Sequence, residues 1–244
     1  MVQHKVVPHE EWVAARKLHL QEEKDFTRRR DRLSQSRRDL PWEAVEKEYV
    51  FEGPQGRQTL AELFDGRGQL VIYHAMFDPA SASASTSWTE DAACPYCSFW
   101  IDNFNGIVIH LNHRDVTLIA VSRAPYPKIA AYKRRMGWTF SWVSSGKSDF
   151  NRDFGVSFSA KDVADRKADY NYGTGNSWHS EAPGVSVFTR DVGGRIFHTY
   201  STYARGLDMV NVAYHYMDLV PNGRGDEEHG PNWVRRHDEY DPMS

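Results

Sequence analysis

At 244 residues, with 13% aromatic content, eight tryptophans and both signs of charge mixed to a net of −3, the chain is long enough to bury a core and too apolar for a disordered segment. The near-neutral charge excludes an electrostatic case for nucleic acid or an anionic membrane surface, and no apolar run reaches membrane-spanning length. Two cysteines are too few for a secreted disulfide scaffold, and with no apolar stretch behind Met1-Val2-Gln3-His4-Lys5 the expected setting is the cytoplasm.

From Pro8 to Asp39 the sequence is charged, with Trp12, Leu18, Phe26 and Leu33 thinly spaced and Pro41 as a stop, which predicts a helical arm within residues 1–45. Its arginines, Arg28, Arg29, Arg30 and Arg32 among them, interleave with Glu22, Glu23, Asp25 and Asp31, the pattern of a solvated face laced with ion pairs rather than an anion site. The sparse apolar positions suit docking on the domain or on a second copy of the chain, a homodimer. Tyr49-Val50-Phe51 reads as a strand, Gly53-Pro54-Gln55-Gly56 as a turn, residues 59–64 as a short helix with Thr59 as cap, and residues 69–77 as a buried strand. The Ala, Ser and Thr run between Asp78 and Ala93 is expected to be a mobile loop.

Cys94-Pro95-Tyr96-Cys97 then opens a helix whose apolar stripe is Trp100, Phe104, Ile107, Val108 and Leu111. A thiol at a helix start meets unpaired N–H groups and the positive end of the macrodipole, which lowers its pKa from ~8.5 into a range of about 3.5 to 7.5. Cys94 is therefore expected as the nucleophile and Cys97, a turn further in, as the resolving thiol, while Pro95 suits a first turn that needs no N–H. Electrons would pass through the sulfurs, with no organic cofactor. Residues 116–121 read as a strand buried on both faces, 128–137 as an amphipathic helix with Ile129, Tyr132 and Met136 inward, and 140–143 as another strand. Residues 159–180 are a polar insertion without an assigned structure. A hairpin over Asp191-Val192-Gly193-Gly194 follows, then a closing helix over 206–219 with Leu207, Val210, Tyr214 and Met217 inward, and a polar tail over 222–244 that returns through Trp233 and Tyr240. The core domain is thus expected over 46–221, as an α/β fold with right-handed crossovers.

The order strand, CxxC helix, strand, helix, then Pro183 before a hairpin and a last helix looks like a thioredoxin fold, a central mixed sheet flanked by helices. The segments Gln69-Leu70-Val71-Ile72-Tyr73-His74-Ala75-Met76-Phe77, Cys94-Pro95-Tyr96-Cys97-Ser98-Phe99-Trp100, Phe154-Gly155-Val156-Ser157-Phe158 and His198-Thr199-Tyr200-Ser201-Thr202-Tyr203-Ala204-Arg205-Gly206 resemble more closely the bacterial family called domain of unknown function 899, whose members are thioredoxin-like. The resemblance implies a dithiol–disulfide oxidoreductase with Cys94 and Cys97 as the redox pair, and the Cys-Pro-Tyr-Cys wording is similar to that of glutaredoxins. It places Pro183 where the fold carries a cis-proline that lets the preceding backbone pair with substrate; the bland alternative is a trans proline opening an edge strand. Tyr96 and Pro95 would border the substrate groove. The partner would be a disulfide-bearing protein or a low-molecular-weight thiol or disulfide. The buried acid of thioredoxins falls near Ile72 here, so His74 is the candidate for proton handling, against the ordinary reading of a hydrogen-bonded core histidine.

Three other chemistries compete. Cys94, Cys97, His110 and His113 read C-x2-C-x12-H-x2-H, one residue short of a zinc-finger spacing, and a helix beginning at the cysteines would separate the pairs by roughly three turns. A peroxiredoxin-like peroxidase needs a hydroxyl residue three positions before its cysteine, where Asp91 stands, although Arg123 or Arg205 would steady a thiolate. Two inert, buried cysteines are the third. Arg224-Gly225-Asp226 reads as chance, and His198, His215, His229 and His237 show no ligand spacing.

Overall fold

The computed structural model describes residues 4–225 and 231–241, so Met1 to Gln3, Asp226 and His229 lie outside the described residues. The chain divides into two units, Met1–Pro41 and Trp42–Ser244. The first is the helix α1 (His9–Arg38), which has acidic residues in its first turn and Arg37 and Arg38 in its last, charges that suit the macrodipole. Pairs such as Arg28–Asp25 at 2.6 Å and Arg16–Glu23 at 2.7 Å lace its surface, as its charge pattern predicts.

The second unit begins with β1 (Glu43–Ala44), β2 (Val50–Gly53), β3 (Gly56–Thr59) and β4 (Gln69–His74). Glu43 and Ala44, expected in the arm, pair with a late strand instead. The 59–64 helix shrinks to a single 3₁₀ turn, Glu62–Phe64, and the Thr59 hydroxyl accepts from the Glu62 N–H as predicted. Next come α2 (Pro95–Ile101), α3 (Phe104–His113), β5 (Val116–Ser122), α4 (Tyr126–Arg135), β6 (Ser141–Ser144) and α5 (Phe150–Asp153). The stripe from Trp100 to Leu111 is thus split over two helices. The Asn103 side-chain amide donates to the Trp100 carbonyl at 2.9 Å, taking a bond the helix would otherwise extend through.

Residues 159–180 resolve into α6 (Ala160–Ala164), opened by a Ser159–Asp162 capping box, and the small hairpin β7 (Asp169–Tyr170) and β8 (Gly175–Asn176). Then follow β9 (Gly184–Arg190), β10 (Ile196–Tyr203), a 3₁₀ segment Ala204–Val210 and α7 (Val212–Met217). The predicted closing helix is broken at Asn211, whose side chain accepts from the Tyr214 N–H at 3.1 Å and starts a new helix. Leu207 and Tyr214 are buried as predicted, whereas Val210 is exposed.

The large sheet runs β1-β10-β9-β4-β5-β6-β2-β3. β4 and β5 are parallel and joined through α2 and α3; β9 is antiparallel to β4 and forms the hairpin with β10. This β10-β9-β4-β5 unit with its helices is a thioredoxin-like fold, as expected. Because side chains alternate across a strand, β4 and β5 feed two cores. Tyr73, Leu118 and Ala120 join Cys94, Cys97 and the buried faces of α2 and α4 on one side; Leu70, Ile72, Ile119 and Val121 meet Phe64, Phe150 and Phe188 on the other.

The serine-rich run after Asp78 is not the free loop its composition predicts. Trp88 is fully buried and donates from Nε1 to the Asp78 carbonyl at 3.0 Å, so a single large side chain anchors the segment. The tail returns through Trp233, which packs on Phe99, while Val234 and Arg236 are buried. Truncating Phe150, which is completely buried and meets Phe51 edge-on at 4.9 Å, should cost about 3–5 kcal/mol in urea unfolding of Phe150→Ala, with the far-UV spectrum retained.

Candidate functional site

The end of β4 grips both cysteines. The Cys94 N–H donates to the Met76 carbonyl at 3.0 Å, and the Met76 N–H donates to Cys97 Sγ at 3.3 Å. Pro95 occupies the first position of α2, as predicted, and the Cys94 carbonyl accepts from both the N–H and the hydroxyl of Ser98 at 2.9 Å. The turn before the cysteines is held from the tail: Arg236 donates twice to the Ala93 carbonyl, at 2.9 and 2.6 Å.

Both thiols are free, and both are buried, Cys94 at 0% and Cys97 at 1% exposure. The expectation that Cys97, a turn further in, is the more covered of the two is corrected by this. The wall of the open cleft belongs to Cys97, beside Tyr73, Tyr96, Trp100, Pro183, Leu207 and Tyr214 in a space of about 450 Å³. Cys94 lies behind it, covered by Ser87 from the serine-rich segment, whose hydroxyl donates to Cys94 Sγ at 2.9 Å.

Burial by itself would raise the Cys94 pKa. Hydrogen bonding from the Cys97 thiol and the Ser87 hydroxyl, with the Cys97 and Tyr96 N–H groups turned toward the sulfur, outweighs it and draws the value down to about 7. Cys97 is pushed well up, by burial first and then by its bond to Cys94 and the charge there. Of the pair, Cys94 is thus the thiol that ionises first. Burial and the neighbouring Cys97 keep the Tyr73 phenol protonated far above its usual range.

The other predicted residues divide. Tyr96 and Pro183 line the cleft, but every peptide bond among the described residues is trans, so Ala182–Pro183 does not take the implied cis form. The backbone beside it is also engaged: the Ala182 N–H donates to the Val156 carbonyl at 3.0 Å, and the Tyr170 hydroxyl from the insertion donates to the Pro183 carbonyl. His74 faces the opposite core from Tyr73, its Nε2 2.9 Å from the Ser186 hydroxyl and its ring stacked on Phe150. It is the hydrogen-bonded core histidine of the ordinary reading. Arg123 pairs with Asp78 at 3.3 Å, and Arg205 with Asp208 at 2.8 Å. His110 and His113 are exposed on α3, away from the buried cysteines, and no metal-holding group of His, Cys, Asp or Glu occurs among the described residues.

Sequence reasoning missed Ser87, Arg236 and Glu181. Ser87 is one of several hydroxyl residues in the run after Asp78 and Arg236 stands in the tail, while Glu181 directly precedes the apolar run Ala182-Pro183-Gly184-Val185. Glu181 is 2% exposed, and burial pushes its carboxyl well above the usual range.

A mixed sheet of this topology, with α2 following the central strand β4, defines a thioredoxin-like fold. The chain belongs to the bacterial protein family of unknown function DUF899, whose model matches residues 1–240. No curated protein matches it. Among solved structures it is similar to the Xanthomonas campestris bacterioferritin comigratory protein described for alkyl peroxide reduction, at 16% identity over 70% of this chain and 94% of that one with a TM-score of 0.46. Peroxiredoxin Q of the same organism gives 14% identity, 72% and 94% coverage and 0.47, and the peroxidoxin BcpB of Mycobacterium tuberculosis 13%, 70% and 96%, and 0.44.

Two outcomes follow from this geometry. Ser87→Ala removes a donor to a buried thiolate and should raise the Cys94 pKa by about one pH unit, read as thiolate ultraviolet absorbance against pH. His74 has a folded-state pKa lowered by burial to about 4, from 6.5. The unfolded chain therefore takes the proton first, and stability present above pH 6.5 is lost as pH falls through this window, by about 3 kcal/mol. His74→Gln should flatten that acid limb of the stability profile; an unchanged slope would refute the assignment.

Proposed function

We propose that this protein is a thiol–disulfide oxidoreductase in which Cys94 and Cys97 cycle between dithiol and disulfide. The observation that carries this reading is the buried pair itself, with the Cys94 pKa drawn to about 7 by the Cys97 thiol and Ser87 against its own burial. An inert buried cysteine would sit above its usual range, since nothing would offset desolvation. Cys94 is the nucleophile. It attacks one sulfur of a disulfide, a mixed disulfide forms, and Cys97 displaces the second thiol by closing the Cys94–Cys97 bond.

Access selects the partner. The cleft at the Cys97 wall encloses about 450 Å³, and the backbone at Ala182 and Pro183 is already bonded within the chain. A folded protein substrate adding a strand there would find no free N–H at Ala182, so a low-molecular-weight disulfide fits better. Burial of both sulfurs also favours a second reading, reduction of a small hydroperoxide. The hydroxyl such a thiol peroxidase needs beside its thiolate comes from Ser87, whereas Asp91, three positions before Cys94, pairs with Lys128 at 2.7 Å. Cys94 would pass through a sulfenic acid, which Cys97 condenses with to give the same disulfide and water.

Reducing the protein and adding a small disulfide should convert wild type to the internal disulfide, while Cys97→Ser traps a mixed disulfide on Cys94, seen by intact mass. Turnover with a thiol donor should fall at least about a hundredfold in either single variant. Trapping on Cys97 in Cys94→Ser instead would exchange the two roles, and trapping in neither would defeat the proposal. Peroxide consumption by the same samples separates the two oxidants.

A further inference from the structure

In folded proteins most helical stability comes from burying one face of the helix. Yet α1 runs for 30 residues without a single buried side chain. Pairs along its own surface, such as Arg28–Asp25, offset only part of this, because exposed ion pairs contribute little. They also leave its apolar residues unexplained: Trp12, Phe26 and Leu33 are each more than half exposed.

Those residues are not scattered. Trp12, His19, Phe26 and Leu33 follow one another at intervals of seven, and Leu40 stands one interval further on, just past the helix end. Positions seven apart drift by only about 20° on a straight helix, so the four residues of α1 form one slowly winding stripe about 60° wide. A stripe of this period is what two helices wrap around each other to cover. Charge is divided along the same helix. From His9 to Asp25 five acids stand against three lysines and arginines, whereas from Phe26 to Arg38 six arginines stand against one acid. The side chains of Arg29, Arg30 and Arg32 take part in no ion pair or hydrogen bond among the described residues.

We infer that α1 is a self-association arm, pairing antiparallel with α1 of a second copy of this chain about a twofold axis close to Phe26. A twofold interface uses the same patch from both sides, so the patch must complement itself when reversed. With Phe26 at the axis, Trp12 comes opposite the partner's Leu40, and Leu33 opposite the partner's His19. Arg29 and Arg30 come opposite the partner's Glu23 and Glu22. The acid-rich half of each helix then meets the arginine-rich half of the other, at both ends of the pair. A parallel pair would cover the same stripe but would set arginine against arginine, and like charges face to face select against it. The apolar stripe therefore supplies the contact and the charge division its direction. Nothing in this pairing involves Cys94 or Cys97.

Sedimentation equilibrium of the full chain tests this. Wild type should be a dimer whose dissociation constant rises with salt, because exposed charges are screened. Phe26→Glu places carboxylates at the axis where rings should meet and should weaken the dimer at least about a hundredfold. The charge-reversed variant Arg29→Glu/Arg30→Glu should weaken it about tenfold or more, and adding Glu22→Lys/Glu23→Lys should restore it. Glutamate and lysine are good helix formers on an exposed face, so the far-UV spectrum should stay the same throughout, and the rescue separates a lost contact from a lost fold. A monomeric wild type would overturn the inference, as would a dimer indifferent to Phe26→Glu. A dimer tightened by the arginine reversal would be parallel. One that Phe26→Glu disrupts but both reversals leave unchanged would seat α1 on another surface of the partner. Either result would overturn the antiparallel pairing.

Discussion

Lowering the pKa of a sulfur that water does not touch is the constraint on which the rest of this domain depends. Desolvation opposes it, and only directed donors oppose desolvation. The chain recruits them from three separate places: the first turn of α2 brings the Tyr96 and Cys97 N–H groups, the cysteine three positions on brings a thiol, and the serine-rich segment brings Ser87. Each must be held still for the sum to favour the thiolate. That explains why Trp88 anchors the serine segment, why Met76 engages both cysteines, and why a buried arginine from the tail clamps the Ala93 carbonyl.

The sheet separates this chemistry from ordinary packing. On one face, Tyr73 and the cysteines share a core with the helices; on the other, His74 lies among Phe150, Ser186 and Asn151 and is kept neutral by its burial. One position along β4 is enough to assign a residue to the reactive or the inert side. From the insertion between α5 and β9, Tyr170 donates to the Pro183 carbonyl, and the neighbouring Ala182 N–H is bonded to Val156. Pro183 lines a cleft whose walls are aromatic, formed by Tyr73, Tyr96, Trp100 and Tyr214.

Local signals made much of this legible. Apolar runs located β4, β5 and β9, the proline at the helix start and the spacing of the cysteines located α2, and Thr59 capped the turn it was expected to cap. Errors arose where a polar side chain competed with the backbone. Asn103 and Asn211 each broke a helix whose apolar periodicity ran on regardless, because periodicity records which face is buried and not where an amide side chain captures a carbonyl or an N–H. Composition misled in the run after Asp78, where one tryptophan outweighed its serines and alanines.

By itself the sequence determined the order of elements, the thioredoxin-like topology and the pair of sulfurs at a helix start, since these follow from periodicity, turn chemistry and spacing along the chain. Which sulfur faces the cleft, which hydroxyl meets Cys94 Sγ, and that His74 lies on the opposite face of the sheet were decided only by the tertiary structure. Ser87 and Arg236 come from different parts of the chain, and their contacts with Cys94 and the Ala93 carbonyl depend on separation in space, which no local pattern encodes.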